Sequence, residues 1–375
     1  MVRVSAVRAG ALRRWGIVAA VVAILCALPV VVAVWPVHAA AVGPTALRDR
    51  ILASTRRSYE GYVDSVGQLA LPSLPEAHEV AELFGGTTTA RVWYVHPNSW
   101  RVAVLESNGE EDVYATLDGT YTWDFHRNLL THVVGDLPVR LPWAADVMPP
   151  NLARRLLAGT TAADRLSLLP ARRIAGVSAL GLRLVPGDPD TTVGRVDVWA
   201  DPSTGLPVQV EVTAKGKSDQ VFRSRFLDLS QHEPDPQVVT PDVAASAGYV
   251  TTAQQDIAAA LNAVAPSHLP DQLAGRPRVF DTLTITSVAA YGDGLSRFVV
   301  IPLPRRLGYQ TFRAVQDAGA APVPLGGGAH AYEVRAGVLT VLAVQTRIGE
   351  TAVLAGLVTP DLLTRVASEL PVDIV

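Results

Sequence analysis

Val198-Trp199-Ala200-Asp201-Pro202-Ser203-Thr204-Gly205-Leu206-Pro207-Val208 reads as two strands joined by a compact turn. Pro202 and Pro207 limit the conformations open to the chain, and Asp, Ser and Gly supply turn chemistry between them. Strands at 195–200 and 206–213 flank this turn, with others expected at 172–184 and 221–230. Upstream, 90–96, 100–106, 111–117 and 121–125 form an antiparallel meander. Its turns fall at Pro97-Asn98, Asn108-Gly109 and Asp118-Gly119, dipeptides suited to backbone conformations that ordinary residues resist.

Helical spacing brackets the strands. Leu47, Ile51 and Leu52 recur at helical offsets in 45–58, and 143–169 carries Leu152, Leu156 and Leu157 near one face, with Arg154 and Arg155 available to solvent. A further strand is expected around 59–66. The proline-containing stretch 71–79 interrupts the pattern before 80–84 and is a loop or lid candidate. One large antiparallel, curved sheet with helices over one face, an α+β arrangement, accounts for these elements. Trp93, Trp100, Tyr114, Tyr121 and Trp123 supply bulk either to its core or to a cavity wall.

The quoted hairpin resembles the tryptophan, Asp-Pro and Gly-Leu-Pro hairpin of the LolA/RseB-like superfamily. Arg91-Val92-Trp93-Tyr94, Pro97, Arg101, Asp118-Gly119 and Trp123 follow that family's order of aromatic strand, turn, basic strand and Asp-Gly-to-tryptophan strand. Tyr59-Glu60-Gly61 resembles the RseB-like strand after the first helix. The resemblance covers 45–230 and implies a strongly curved antiparallel sheet, an incomplete β-barrel covered by helices, often around an apolar ligand cavity. On that reading Trp93, Trp100, Tyr114, Tyr121, Trp123, Leu152, Leu156 and Trp199 are the ligand-binding candidates, with 71–84 and the helix near 143–157 controlling access.

Residues 231–250, rich in proline and acidic side chains at their start, read as a linker to a smaller α+β domain over 251–375. There a helix is expected at 251–265 and strand pairs at 282–291 with 295–303 and at 329–335 with 338–346. A closing helix is expected at 360–369. Tyr291-Gly292-Asp293-Gly294-Leu295-Ser296 resembles the carboxy-terminal domain of RseB-like regulators. Gly326-Gly327-Gly328 lacks the GK[ST] ending of a phosphate loop and reads as a hairpin connection.

At the amino end, Arg3, Arg8, Arg13 and Arg14 precede an uncharged run at 15–35, and no acidic residue occurs before Asp49. As a helix this run would be about 31 Å long, enough for a bilayer core. The expectation for 1–41 is therefore a cytoplasmic basic tail and a transmembrane anchor or uncleaved signal. The bulk of the chain is then extracytoplasmic on a single-pass plasma-membrane protein. Val37-His38-Ala39, followed by Ala40, keeps signal cleavage open as the alternative.

The charge balance, 32 Lys plus Arg against 35 Asp plus Glu for a net charge of −3, supplies no basic stripe for nucleic acid beyond the first residues. One cysteine, Cys26, forbids an intramolecular disulfide and a thiolate-rich metal site. The histidines form no HExxH pattern and no GxSxG elbow occurs, so neither a metal, a cofactor nor catalysis is expected. The expected function is non-enzymatic binding of a lipid or acylated protein in envelope sensing or local transfer. The alternative is regulation of an envelope membrane protein, such as an anti-sigma factor, through protein contacts and without a lipid ligand. A structural accessory of an envelope complex is a third reading.

Overall fold

The computed structural model describes residues 42–68, 78–106, 109–135, 142–242, 247–253, 269–279 and 288–374. Helix α1 (Pro44–Ala53) opens with a proline, whose missing N–H costs nothing in a first turn. It buries Leu47 and Ile51, one turn apart on one face. Strand β1 (Tyr59–Gly67) follows, then α2 (His78–Gly85) and the meander β2 (Thr87–His96), β3 (Ser99–Leu105), β4 (Glu110–Thr116), β5 (Gly119–Asp124) and β6 (Leu129–Val134). After α3 (Ala144–Val147) and α4 (Pro149–Ala158) come β7 (Arg165–Ile174), β8 (Val177–Val185), β9 (Val193–Ala200), β10 (Pro207–Ala214) and β11 (Gln220–Ser230). Strand β11 returns to pair with β1, and β12 (Gly248–Ala253) joins the far edge beside β6.

The resulting sheet has 12 strands in the order β12-β6-β5-β4-β3-β2-β1-β11-β10-β9-β8-β7. Three expectations are corrected by it. The sheet is open, neither strongly curved nor an incomplete barrel: its end strands β12 and β7 do not pair with each other, as closure would require. Strand β7 carries Pro170, which has no N–H for a further ladder, beside a register shift between Leu169 and Arg172. Nor is the sheet wholly antiparallel, since β12 runs parallel to β6.

The transmembrane expectation is corrected as well. Among the described residues no helix is long and apolar enough to cross a membrane, and the run at 15–35 on which that expectation rested lies outside them. The single-pass topology, the contact with a bilayer through 15–35 and the plasma-membrane localisation are accordingly not carried forward.

Local differences have local causes. The single strand expected at 172–184 is a hairpin: Ala175 and Gly176 take φ of 45° and 80°, the two left-handed residues of a tight turn that alanine rarely adopts. The helix expected through 169 ends at Ala158, before Gly159, and the chain turns where Asp164 accepts the Thr161 N–H at 2.7 Å. The segment 251–253 completes β12 instead of starting a helix. The remainder of that expected helix, the first part of the expected strand at 282–291, and 71–77 of the lid candidate lie outside the described residues.

A second sheet of 8 strands has the order β13-β14-β15-β16-β20-β19-β18-β17. Its strands are β13 (Gln272–Leu273), β14 (Arg276–Val279), β15 (Ala289–Tyr291), β16 (Phe298–Leu303), β17 (Ala321–Pro324), β18 (His330–Ala336), β19 (Leu339–Gln345) and β20 (Thr351–Gly356). Helices α5 (Arg305–Asp317) and α6 (Pro360–Glu369) pack against it. Thr359 caps α6 by accepting the Leu362 N–H, and Leu362, Leu363, Val366 and Ala367 bury one face. The sheets adjoin where Thr191 bridges Val358, and the turn between β18 and β19 sends Ala336 and Val338 into the first core.

The quoted hairpin is β9–β10. Asp201 Oδ1 accepts from the N–H and hydroxyl of Ser203 at 2.8 and 2.6 Å, and the Asp201 carbonyl accepts the Gly205 N–H at 2.8 Å. Gly205 has φ of 74°, and a Cβ there would come within 2.3 Å of the Arg50 carbonyl oxygen. Arg50 Nη1 in turn donates to the Pro202 carbonyl at 2.6 Å. The turn is thus the seat of α1, and Asp201, Pro202 and Gly205 are explained by that docking.

Candidate functional site

Residues directly opposite each other in an antiparallel pair share a face. Register therefore draws two parallel rows across β11, β1 and the meander. The first runs Ser230, Glu60, Trp93, Arg101, Tyr114, Tyr121, His132. The second runs Asp228, Tyr62, Arg91, Ala103, Asp112, Trp123, Leu130. Trp93, Tyr114, Tyr121 and Trp123 are thus brought to one face. The opposite face presents Val92, Tyr94 and Val102, which pack with Leu47 and Ile51 of α1 and Leu156 and Leu157 of α4 in the main core.

The remaining candidates fall elsewhere. Trp100 stands opposite Tyr94 on the helix-covered face, where it packs against the main core and donates Nε1 to the Pro97 carbonyl at 3.0 Å. Leu152 and Leu156 are part of the helix packing, Leu152 partly buried and Leu156 buried. Trp199 is buried in the main apolar cluster, its ring 3.9 Å from the Arg172 guanidinium and its Nε1 donating to the Pro170 carbonyl. Trp199 also stands opposite Gln209, and Gln209 opposite Arg225, which places it on the Trp93 side of the sheet but several strands away.

This face, which no helix of the described residues covers, is an array of aromatic rings and ion pairs. The Arg101 guanidinium lies 4.8 Å from the Trp93 ring centre and 5.2 Å from that of Tyr114, with the Arg91 guanidinium 5.0 Å from Trp93. Such contacts stabilise by about 0.5–2 kcal/mol each as water is excluded. Arg101 Nη2 donates to Asp112 Oδ2 at 2.7 Å, and the same oxygen accepts the Tyr114 hydroxyl at 3.0 Å. Asp112 is 1% exposed. Burial holds its carboxyl above the ordinary range even though Arg101 pulls against it, so the ion pair offsets part of the cost of a charge there. Burial also raises the Tyr114 phenol, as does the charge of Asp112, leaving Tyr114 a hydrogen-bond donor.

The pattern continues along the face. Tyr121 stacks on His132 with ring centres 4.2 Å apart and donates its hydroxyl to Asp118 at 2.8 Å. Burial first, and then this carboxylate, push the Tyr121 phenol up to about 12. Arg223 and Arg225 both reach Asp64, at 3.2 and 2.8 Å, and Arg183 holds Asp197 through two 2.7 Å bonds. Residues 231–242 cross the face, where Val238 and Val239 pack on Trp93, Val95 and Ala103. Beside this strap lies a depression of about 500 Å³ lined by Glu60, Tyr62, Arg91, Trp93, Leu105, Glu110 and Asp228, among others.

Sequence reading found the aromatic members, placed Arg91, Arg101 and Glu60 only within the family resemblance and not at the site, and did not single out Asp112. A charged residue on an alternating strand reads as solvated. Only cross-strand register shows these charges to be interleaved with the rings. Among the described residues no group of three His, Cys, Asp or Glu side chains is placed to hold a metal ion.

No family model and no curated protein sequence matches the chain. Among solved structures it is similar to the Pseudomonas aeruginosa MucA/MucB complex, at 20% identity over 86% of this chain and 95% of that one, TM-score 0.48. It is similar to MucB crystallised alone at 21% identity over 86% and 96% of the two chains, TM-score 0.45. A LolA superfamily protein from Nitrosomonas europaea aligns over 54% of this chain and 99% of its own, at 14% identity and TM-score 0.26. The likeness is one of fold.

Proposed function

We propose that this chain is a non-enzymatic envelope protein that regulates another protein by direct contact, using the face of the large sheet that carries the aromatic rows. The observation that carries this reading is the placement of the aromatic rows. They lie among Arg91, Arg101, Asp112, Glu60 and Asp228, away from the apolar side of the sheet, which is filled by side chains from α1 and α4. Acyl chains gain affinity from burial in an apolar cavity at roughly 0.8 kcal/mol per methylene. Rings interleaved with guanidinium and carboxylate groups match instead the aromatic and arginine composition of protein-binding surfaces. A MucA-like protein is a partner of the kind this reading names, and regulation of an anti-sigma protein is the role it would serve. The division into a binding unit at 45–230, a linker at 231–250 and a smaller unit at 251–375 belongs to the same proposal.

The test is native mass spectrometry of the full chain isolated gently from envelopes, before and after delipidation. Expected are a protein free of stoichiometric lipid and a partner that persists through delipidation. Trp123→Ala, at a half-buried position of the second row, should weaken retention of that partner. Stoichiometric lipid, with any partner lost on delipidation, would overturn the reading in favour of lipid or lipoprotein binding.

A further inference from the structure

We propose that the depression beside Trp93 receives a cationic side chain, an arginine or lysine presented by a partner protein. The proposal rests on the protein-contact reading above and gives it a chemistry. The depression lies where β1 and β11 lose register between Tyr62 and Val63, so that Leu227 is an extra residue in β11. Gly61 permits this close approach, since a Cβ there would meet the Asp228 carbonyl at 2.5 Å and the Phe226 ring at 2.8 Å.

Three carboxylates, Glu60, Glu110 and Asp228, line the depression against one guanidinium, Arg91. Glu110 is shared with Arg101. Glu60 and Asp228 are diagonal neighbours across the strand pair, because Glu60 faces Ser230 and Tyr62 faces Asp228. Among the described residues neither forms an ion pair. As diagonal neighbours the two carboxylates stand about 7–8 Å apart, with Arg91 the guanidinium nearest them in the lining, so the depression keeps an excess of negative charge that a bound cation relieves. The walls suit the rest of such a side chain. Tyr62 is partly exposed, Leu105 is 39% exposed, and both can cover the methylene stem of Lys or Arg. The chain's own guanidinium groups already lie over Trp93, so the carboxylates are the unsatisfied part of the site. An anionic partner meets net negative charge here, and a wholly apolar one leaves both carboxylates desolvated without a counterion.

Fluorescence polarisation with the full chain tests this directly. The probe is a labelled, capped pentapeptide with two arginines separated by glycines, and its control carries neutral citrulline in their place. Expected is binding of the arginine peptide that weakens with salt, with the citrulline peptide at least about ten-fold weaker. Glu60→Gln and Asp228→Asn should each weaken the arginine peptide several-fold, while Asp317→Asn on the distant α5 should leave it unchanged. Equal binding of both peptides, no binding of the arginine peptide, or insensitivity to Glu60→Gln and Asp228→Asn would each overturn the site. A lipid-free protein that retains a partner but ignores the arginine peptide separates failure of this site from failure of the protein-contact reading. A lipid-loaded protein that binds the peptide through Glu60 and Asp228 separates them the other way.

Discussion

Arg276 of the smaller sheet holds Asp188, in the loop after β8 of the larger one, through both terminal nitrogens: Nη1 donates to Oδ2 at 2.5 Å and Nη2 to Oδ1 at 3.0 Å. Ser296 donates to the same carboxylate at 2.6 Å, while Asp190 accepts from Arg276 and Arg365 at 3.0 and 2.9 Å. Next to this cluster the Thr192 N–H donates to the Leu357 carbonyl at 3.0 Å and the Thr359 N–H to the Asp190 carbonyl at 2.7 Å. The two sheets are therefore joined by a charged clasp backed by main-chain hydrogen bonds.

That clasp is acid-sensitive. Burial works to raise the Asp188 carboxyl, but hydrogen bonds from Arg276 and Ser296 prevail and lower it to about 2. Its contribution is complete above the unfolded value near 4 and is lost as pH falls through about 2. The expected loss is on the order of 1 kcal/mol after solvent screening. Urea melts from pH 5 to pH 2 should show it, and Asp188→Asn should be destabilised at pH 5 with a shallower slope over that window. Parallel slopes for the two proteins would refute the assignment.

Gly205 and Gly216 share a φ of 74°, yet a Cβ at Gly205 meets the Arg50 carbonyl while one at Gly216 meets nothing within 4 Å. Gly216→Ala should cost only the left-handed strain, about 1 kcal/mol. Gly205→Ala must in addition push α1 from its seat, and should cost about 3 kcal/mol or more by denaturant unfolding. Similar losses at the two positions would show that the contact with Arg50 is not what demands glycine.

Removing one partner from the buried Arg101–Asp112 pair leaves a charge without compensation. Arg101→Met should destabilise by about 3 kcal/mol, and adding Asp112→Asn should restore a substantial part of that loss. Tyr114→Phe should cost about 1 kcal/mol, one hydrogen bond. Equilibrium urea unfolding of the single and double variants measures the coupling, and simple additivity would argue against the pair as a unit.

Leu156 is 8% exposed within the α4 packing. Leu156→Ala should therefore cost about 2–4 kcal/mol of stability through the cavity it leaves. Trp123→Ala, at a half-buried position on the other face, should cost less and act mainly on partner affinity. Calorimetric melts and partner titrations separate the two effects, and the reverse ranking would return Leu156 to the binding surface.

The meander, the β9–β10 hairpin, α1 and α6 were all legible in the chain, because each has a local cause: alternating strands broken by turn dipeptides, or apolar residues one turn apart. Helix α5 was missed because only Phe312 and Val315, with Gly308, mark its buried face. The β7–β8 turn was missed because Ala175 adopts a left-handed conformation that no residue-type rule assigns to alanine.

By itself, the sequence determined the α+β class, most strand positions and the aromatic residues that lie on the sheet. Tertiary structure alone decided that the sheet stays open, and that Trp93, Tyr114, Tyr121 and Trp123 share a face while Trp100 packs behind them. It also placed Arg101 between two rings with Asp112 beneath. The reason is physical: alternation along one strand fixes only that neighbours point to opposite sides, and a shift of one residue exchanges the sides. Which side is which follows from long-range register and from the helices that fill one face, and neither is encoded within any single segment.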